Sequence, residues 1–444
     1  MTEIRIWPGH ARGTVAAPPS KSLLHRALIA AALSEGESRI SRTDGPALSE
    51  DILATIDCLK VLGCELLPGD GAITVRGIGK DCGVIPVEDP ADEREQTGLI
   101  LPVRASGSTL RFLIPLVLSL GHPARFVGEK SLFERPLDVY EELCQQYGMT
   151  FRYGQTEEAS FLDICGRAGS GQQGPEHEES RPGPMSVTIQ GHISSQFATG
   201  LLFALPLFPE GGRIELIPPI VSRPYIEMTR QILERFGIWT CRETLQEREA
   251  ILIPGGQRYT AANISIEGDE SQAAFLKAIP LLDSESEITI TGLDPMTRQG
   301  DRVFPDLVAQ LKQGKMIDLS DTPDLGPILF GAAAGLGCGG TFTGTARLRE
   351  KESDRVRAMA EELGKFGIQT KTGEDSFTIL PGELQTPEEP LQGHGDHRIV
   401  MALAVLLIRT GGVIRGAQAV RKSDPTFFER LQGLGIHIEE RNEL

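Results

Sequence analysis

Four short stretches of the 444-residue chain concentrate side chains able to do chemistry. The first is Pro19-Ser20-Lys21-Ser22-Leu23-Leu24-His25-Arg26, where Ser22 and Arg26, four apart, share one helix face beside Lys21. The second is Glu134-Arg135-Pro136, in which Pro136 suits the first position of a helix and Arg135 precedes it. The third is Leu348-Arg349-Glu350-Lys351-Glu352-Ser353-Asp354-Arg355, and the fourth is Gly395-Asp396-His397-Arg398 with Lys422-Ser423 downstream. Lysine and arginine grouped this way can hold phosphates and carboxylates, and a carboxyl group among them can take or give a proton. A charged helix start is ordinarily just a solvated face. A basic residue at several helix starts is harder to dismiss, because a cation in a first turn opposes the helix dipole. Lys21 and Arg398 therefore imply an anion at those helix ends.

The elements that must position these residues follow a repeated pattern. An amphipathic helical stretch, a glycine and an apolar strand-like run recur at Gly63, Gly148, Gly237, Gly367 and Gly435, with a looser copy at Gly314. Glycine suits the left-handed position just past a helix end, so six helix-to-strand turns are expected. Between them lie six stretches apolar nearly all round: Lys21–Leu33, Gly107–Leu120, Ser195–Leu207, Asp269–Leu282, Asp324–Leu336 and His397–Ile408. A helix apolar on every side is buried. Six α/β units result, too large and uneven for a solenoid and better divided into two globular domains of three units each. If the buried helices pack side by side, their starts focus positive potential on one cleft. The acidic stretches 87–95 and 381–390 read as solvated loops, and 168–184 as a linker or surface loop. Its formal GxGxxG (Gly169, Gly171, Gly174) lacks the strand and helix of a dinucleotide site.

Composition limits the function classes. Lys+Arg is 44 against 61 Asp+Glu, a net charge of −17, which excludes a generally basic nucleic-acid binder. At 40% hydrophobic and 24% charged residues, the chain can bury a large core. The start, MTEIRIWPGHARG, lacks a signal peptide's apolar stretch, and the longest apolar run, Ile399–Ile408, falls short of the ~20 residues of a membrane span. Seven scattered cysteines with no CxxC point to a cytoplasmic protein with free thiols and no structural zinc.

PPSKSLLHRALIAAAL, SGSTLRFL, GEKSLFERPL, ISSQFATGLLFALPL, SRPYIEMT, TPDLGPILF, LREKESDRVRAMAEEL, GDHRIVMALAV and KSDPTFFERL occur in this order. Together they resemble the 5-enolpyruvylshikimate-3-phosphate synthases of the enolpyruvyl transferase family, over nearly the whole chain. The resemblance implies an α/β fold of two domains, each of three βαβαββ units around buried helices. One domain would be 21–266, and the second, discontinuous one 1–20 with 267–444. It implies a transferase of the shikimate pathway to chorismate and aromatic amino acids. The 5-hydroxyl of shikimate 3-phosphate adds to C2 of phosphoenolpyruvate, C3 is protonated, and the tetrahedral intermediate loses phosphate. It implies no metal or organic cofactor, no nucleic-acid or membrane partner, and a monomer.

Matched positions imply the site. Lys21, Ser22, Arg26, Ser194, Ser195, Gln196, Ser222, Tyr225, Asp324 and Lys351 correspond to shikimate 3-phosphate contacts. Lys21, Gly107, Arg135, Gln196, Arg355, Arg398 and Lys422 correspond to phosphoenolpyruvate contacts. Asp324 matches the base on the hydroxyl and Glu352 the proton donor to C3; which of Lys21, Asp324 and Glu352 moves which proton stays open. The chain departs from the family at Ala105-Ser106-Gly107-Ser108, where Asn-Ala-Gly-Thr is common and a side-chain amide is lost. That puts affinity for phosphoenolpyruvate and its mimics in question. Two rival readings are a sugar-nucleotide enolpyruvyl transferase and a non-catalytic anion binder. The first usually carries a loop cysteine, and 121–135 contains none.

Overall fold

The computed structural model describes residues 2–42, 47–79, 98–156, 159–165, 184–245 and 248–442. The expected loops 87–95 and, but for Pro184, 168–184 lie outside the described residues. The helices among the described residues are α1 (Lys21–Leu33), α2 (Glu50–Val61), α3 (Gly107–Leu120), α4 (Lys130–Phe133), α5 (Asp138–Tyr147), α6 (Ser195–Ala204) and α7 (Arg223–Arg235). They continue with α8 (Glu270–Leu282), α9 (Phe304–Lys312), α10 (Gly326–Gly335), α11 (Arg355–Lys365), α12 (His397–Thr410) and α13 (Phe427–Gly433).

The turns at Gly63, Gly148, Gly237, Gly314, Gly367 and Gly435 all have positive φ, between 64° and 96°. Gly148 illustrates the reason: its N–H bonds back to the carbonyls of Cys144 and Gln145, a left-handed cap that costs a residue with Cβ more. The expected helix 195–207 stops being α at Ala204 and ends in a 3₁₀ turn, Leu205–Leu207. Pro206 has no N–H to continue the ladder.

The chain divides into two units. One holds Met1–Lys21, Thr43–Glu50 and Glu267–Leu444; the other holds Ser22–Arg42 and Asp51–Ile266. Among the described residues the second unit has three four-stranded sheets, and the one ordered Leu99–Arg104, Ala124–Gly128, Ser160–Cys165, Thr150–Gln155 shows the plan. Its first pair is parallel, joined through α3, and the other two pairs are antiparallel. Parallel neighbours need a crossover, which a buried helix supplies.

In the first unit α8, α10 and α12 supply the centre of the core, with Ile399–Ile408 all at 1% exposure or less. Each Ile, Val, Leu or Met side chain among them contributes roughly 1.5–3 kcal/mol by leaving water. Phe330 of α10 packs edge-on against Phe342 and Phe377, ring centres 4.9 and 4.7 Å away. The strand Thr2–Ile6 lies between Gly412–Arg415 and Ile438–Asn442, antiparallel to both. Among the described residues no helix is long and apolar enough to cross a membrane.

Candidate active site

In the first unit the starts of three buried helices carry the charged residues. Asp269 caps α8: its Oδ1 accepts from Gln272 N at 3.0 Å and Ser271 Oγ at 2.6 Å, and its Oδ2 accepts from Lys21 N at 3.0 Å. Asp396 caps α12, accepting from Arg398 N at 2.9 Å. Asp324 sits in a 3₁₀ turn, Pro323–Leu325, that leads into α10, so this helix begins two residues later than its charge pattern suggests. Pro323 fits that turn, and Pro327 at the second α-helical position has no N–H to leave unpaired.

Asp324 gathers the cations. Arg355 Nη1 lies 3.1 Å from its Oδ1, Arg398 Nη2 3.0 Å from its Oδ2, and Lys351 Nζ 3.9 Å from its Oδ1. Arg398 also donates to Asp324 O at 3.1 Å and Ser271 Oγ at 3.0 Å. Loss of water favours the neutral acid at Asp324. Arg398, Lys351, Arg355 and Lys21 outweigh it and hold the carboxyl well below its usual range. Glu352 bonds His397 Nδ1 at 2.9 Å; loss of water opposes its charge too, and His397, Arg355 and Lys21 overcome it, keeping the carboxylate ionised. Lys351 moves the other way. Loss of water brings its ammonium down to about 7 against the pull of Asp324. Lys422 Nζ bonds Gly395 O at 3.1 Å, just ahead of the α12 start.

The second unit builds two arrangements. Arg26 is buried and makes four hydrogen bonds: Nε to Thr229 Oγ1 (2.8 Å), Nη1 to Ser22 O (2.7 Å), and Nη2 to Thr199 Oγ1 (3.3 Å) and Tyr225 O (3.2 Å). Burial lowers it to about 10, which leaves it charged at neutral pH. Its guanidinium thus ties the Ser22 turn of α1 to the Tyr225 turn of α7. Ser222, which precedes α7, has φ 55°, a strained setting for a residue with Cβ. In the other arrangement Ser194 caps α6, accepting from Gln196 N at 3.3 Å. Gln196 Oε1 accepts from Arg111 Nη1 at 3.1 Å, and its Nε2 donates to Ser108 Oγ at 2.9 Å. A Cβ on Gly107 would stand 3.2 Å from Nη1 of both Arg111 and Arg135, so two guanidinium groups converge on a backbone without a side chain.

The sequence-derived residues divide between the units: Lys21, Asp324, Lys351, Glu352, Arg355, Arg398 and Lys422 belong to one, and Ser22, Arg26, Gly107, Arg135, Ser194, Ser195, Gln196, Ser222 and Tyr225 to the other. Pro136 corrects an expectation. It lies two residues before α5 and is not in its first turn; Leu137 is the cap. Pro136 O instead accepts from Arg111 Nη2 at 3.1 Å. Sequence reasoning set Asp396 and His397 in a charged cluster without a task for either and gave no role to Arg111 or Ser271; Asp269 and Asp396 stand where ordinary helix-start residues do, and both are caps. Arg111 was detectable, being four residues after Gly107 and so on the same helix face. The anion implied by Arg398 in a first turn is met in part by the protein's own Asp324.

Two groups among the described residues have metal-like spacing, Glu352–Asp396–His397 and Glu361–Glu362–His394. In the first, Asp396 already pairs with Arg355, Ser353 and Arg398 N. In the second, Lys365 Nζ binds both Glu362 oxygens, at 3.1 and 2.9 Å. An ammonium or guanidinium fills the cation's place in each, so the donor sets do not suit a metal ion.

Residues 7–431 match the family model described as EPSP synthase (3-phosphoshikimate 1-carboxyvinyltransferase). Among curated relatives, a 3-phosphoshikimate 1-carboxyvinyltransferase of Clostridium kluyveri is 37% identical, covering 99% of this chain and 99% of its own. One of Clostridioides difficile is 32% identical over 100% and 99%. Among solved structures, an EPSP synthase of Acinetobacter baumannii superposes with a TM-score of 0.73 at 23% identity, covering both chains fully. The enolpyruvyl transferase NikO of Streptomyces tendae reaches 0.65 at 16%, covering 100% of this chain and 99% of its own. The two structural likenesses speak for the two-domain α/β fold; the family match and the full-length relatives place this chain in the EPSP synthase family.

Proposed function

We propose that the chain transfers the enolpyruvyl group of phosphoenolpyruvate to the 5-hydroxyl of shikimate 3-phosphate and releases phosphate. The observation that supports it most is Asp324, a carboxylate kept ionised among Arg355, Arg398 and Lys351. Such a group can accept a hydroxyl proton where phosphates and carboxylates are gripped. In this reading Ser22, Arg26, Ser194, Ser195, Gln196, Ser222 and Tyr225 hold shikimate 3-phosphate, with Lys21, Asp324 and Lys351. Lys21, Gly107, Arg135, Gln196, Arg355, Arg398 and Lys422 hold phosphoenolpyruvate. These two groups assign the main shikimate 3-phosphate contacts to 21–266 and the carboxylates Asp324 and Glu352 to 1–20 with 267–444.

The free protein's electrostatics bear on the order of events. Asp324 is a weak base while Arg398, Lys351, Arg355 and Lys21 face it alone. Substrate anions draw on Arg355, Arg398 and Lys351, so its basicity rises as they bind. The hydroxyl oxygen then bonds C2 of the enol phosphate as its proton leaves, and C3 takes a proton to become a methyl group. Expulsion of phosphate, with loss of a methyl proton, restores the double bond on the product. Glu352, ionised in the free protein, must gain a proton before giving one to C3. Lys21 is the third candidate for these transfers.

The reading includes a cytoplasmic monomer, in line with cysteines that are all free among the described residues. Light scattering tests the monomer: the mass of one chain is expected, and twice that overturns it. The function is tested by phosphate release with both substrates together. Release only with a UDP-sugar acceptor, or none with any, overturns it.

A further inference from the structure

We infer that Gln299 is a positioning residue for the reaction: its amide sets where Lys21 stands, by clamping the segment before α1 to the start of α8. The inference rests on the proposed function, because it needs Lys21 to touch substrate.

Gln299 is 5% exposed, and its amide is saturated. Its Oε1 accepts from Ser20 Oγ at 3.2 Å and Glu270 N at 3.1 Å. Its Nε2 donates to Glu267 Oε1 at 2.7 Å and Gly268 O at 2.8 Å. Two acceptor sites and two donors meet four partners, which is all a primary amide can do. The partners belong to two chain segments: Ser20, next to Lys21, and Glu267-Gly268 with Glu270, which lead into α8.

The backbone ties the same two segments. Ser20 N donates to Glu267 O at 2.8 Å and Asp269 N to Pro18 O at 2.7 Å. Asp269 Oδ2 then accepts from Lys21 N. Gln299 is therefore the side chain that grips both strands of this ladder, one residue from Lys21 on one side and one from Asp269 on the other. Thr297 Oγ1 donates to Glu267 Oε1 as well, so this oxygen takes two donors. Burial raises Glu267, and the Thr297 and Gln299 donors work against that rise. An isostere without the N–H pair faces Glu267 with nothing to give. A leucine leaves Ser20 Oγ, Glu270 N, Gly268 O and the carboxylate without the partner each has now. Asp269 and the backbone bonds persist, so α8 keeps its cap, while the segment before Lys21 loses the side-chain grip that sets how closely it stands to Glu267-Gly268. Displacements near 1 Å at a reacting group cost up to ~10²-fold in rate.

The test is steady-state kinetics on the full-length protein with three variants, each with a thermal melt. Gln299→Leu should lower kcat ~10²-fold while KM for shikimate 3-phosphate moves less than ~3-fold, since the other contacts assigned to that ligand are untouched. Ser20→Ala removes one of the four bonds and should lower kcat by a few-fold. Gln299→Glu sets a second carboxylate against Glu267, with Asp294, Asp269 and the Glu270–Lys277 pair nearby. Protonated, glutamic acid can again donate to Glu267. Its kcat relative to the parent protein should therefore recover as pH falls toward ~6, while that of Gln299→Leu stays low. A folded Gln299→Leu with kcat within ~3-fold of the parent overturns the inference, as do parallel losses in kcat, KM and melting point. If Gln299→Leu does not fold, Ser20→Ala with unchanged kcat, or Gln299→Glu without recovery at low pH, overturns it. Failure of the parent protein itself to release phosphate overturns the proposed function instead.

Discussion

Arg355 meets Asp396 with Nε 2.8 Å from Oδ2, a pair in which one side chain is 2% exposed and the other fully enclosed. Asp396 also accepts from Ser353 Oγ and caps α12, while Nη1 of the same arginine turns to Asp324. One carboxylate thus fixes the cation that faces another. Removing a partner from a buried pair leaves an uncompensated charge, at a cost of ~3–5 kcal/mol. Asp396→Ala should destabilise by that amount in urea unfolding, and Asp396→Asn, which keeps an acceptor for the cap, by less. A loss for Asp396→Ala under ~1 kcal/mol would contradict this account of the pair.

Asp324→Asn and Glu352→Gln keep shape and remove the charge. Each should lower kcat by ~10²–10⁴-fold while shikimate 3-phosphate still binds, as calorimetry would show. Near-parent turnover in both would remove them from the proton transfers.

Lys351 titrates at about 7, because loss of water disfavours its ammonium form. It is charged below that pH and neutral above, and only the charged form pairs with a phosphate. The kcat/KM for shikimate 3-phosphate, which reports the free protein, should therefore fall as pH rises through ~7. Bound anions raise the lysine, so the limb in kcat should lie at higher pH. Lys351→Arg should move the kcat/KM limb to higher pH or abolish it, and an unchanged limb in that variant would assign it to another group.

Exposed thiols stand outside the proposed chemistry. Cys58 and Cys144 are buried, and burial pushes both up, Cys144 to about 12. Cys338 is exposed, and partial burial of its sulfur raises it as well. Brief alkylation should leave activity within ~2-fold, since the thiolate is the reactive form. Rapid inactivation that substrate prevents, traced by mass spectrometry to one cysteine, would favour the sugar-nucleotide reading.

Features fixed by neighbours in sequence are legible in the sequence itself. Gly148 and its five counterparts announce helix ends because the left-handed cap is a local demand. Ile399–Ile408 announces a buried helix because no face is polar. Site residues known from matched motifs, such as Lys351 and Arg355, were legible by likeness to the family. The further partners of Asp396, Asp269 and Arg111 are not legible, since they lie 41, 248 and 85 residues away. Capping alone accounts for an aspartate before a helix, and nothing local says that it also pins a distant arginine or the start of another helix. Pro136 was misplaced for a related reason: its use is a carbonyl turned to Arg111, not a ring at a helix start.

The strand Thr2–Ile6 has its two partners at Gly412–Arg415 and Ile438–Asn442. A ribosome releases the first of these three strands early and the other two some four hundred residues later. Until then Thr2–Ile6 has two unsatisfied edges. The unit of Ser22–Arg42 and Asp51–Ile266 has all its strands in hand far sooner. Order of synthesis therefore favours the unit of Ser22–Arg42 and Asp51–Ile266 folding first, with the other completed later through a contact of very long sequence separation. A chaperone that shields a short β-forming segment near the N-terminus would act in that interval, when mispairing between nascent chains is most open.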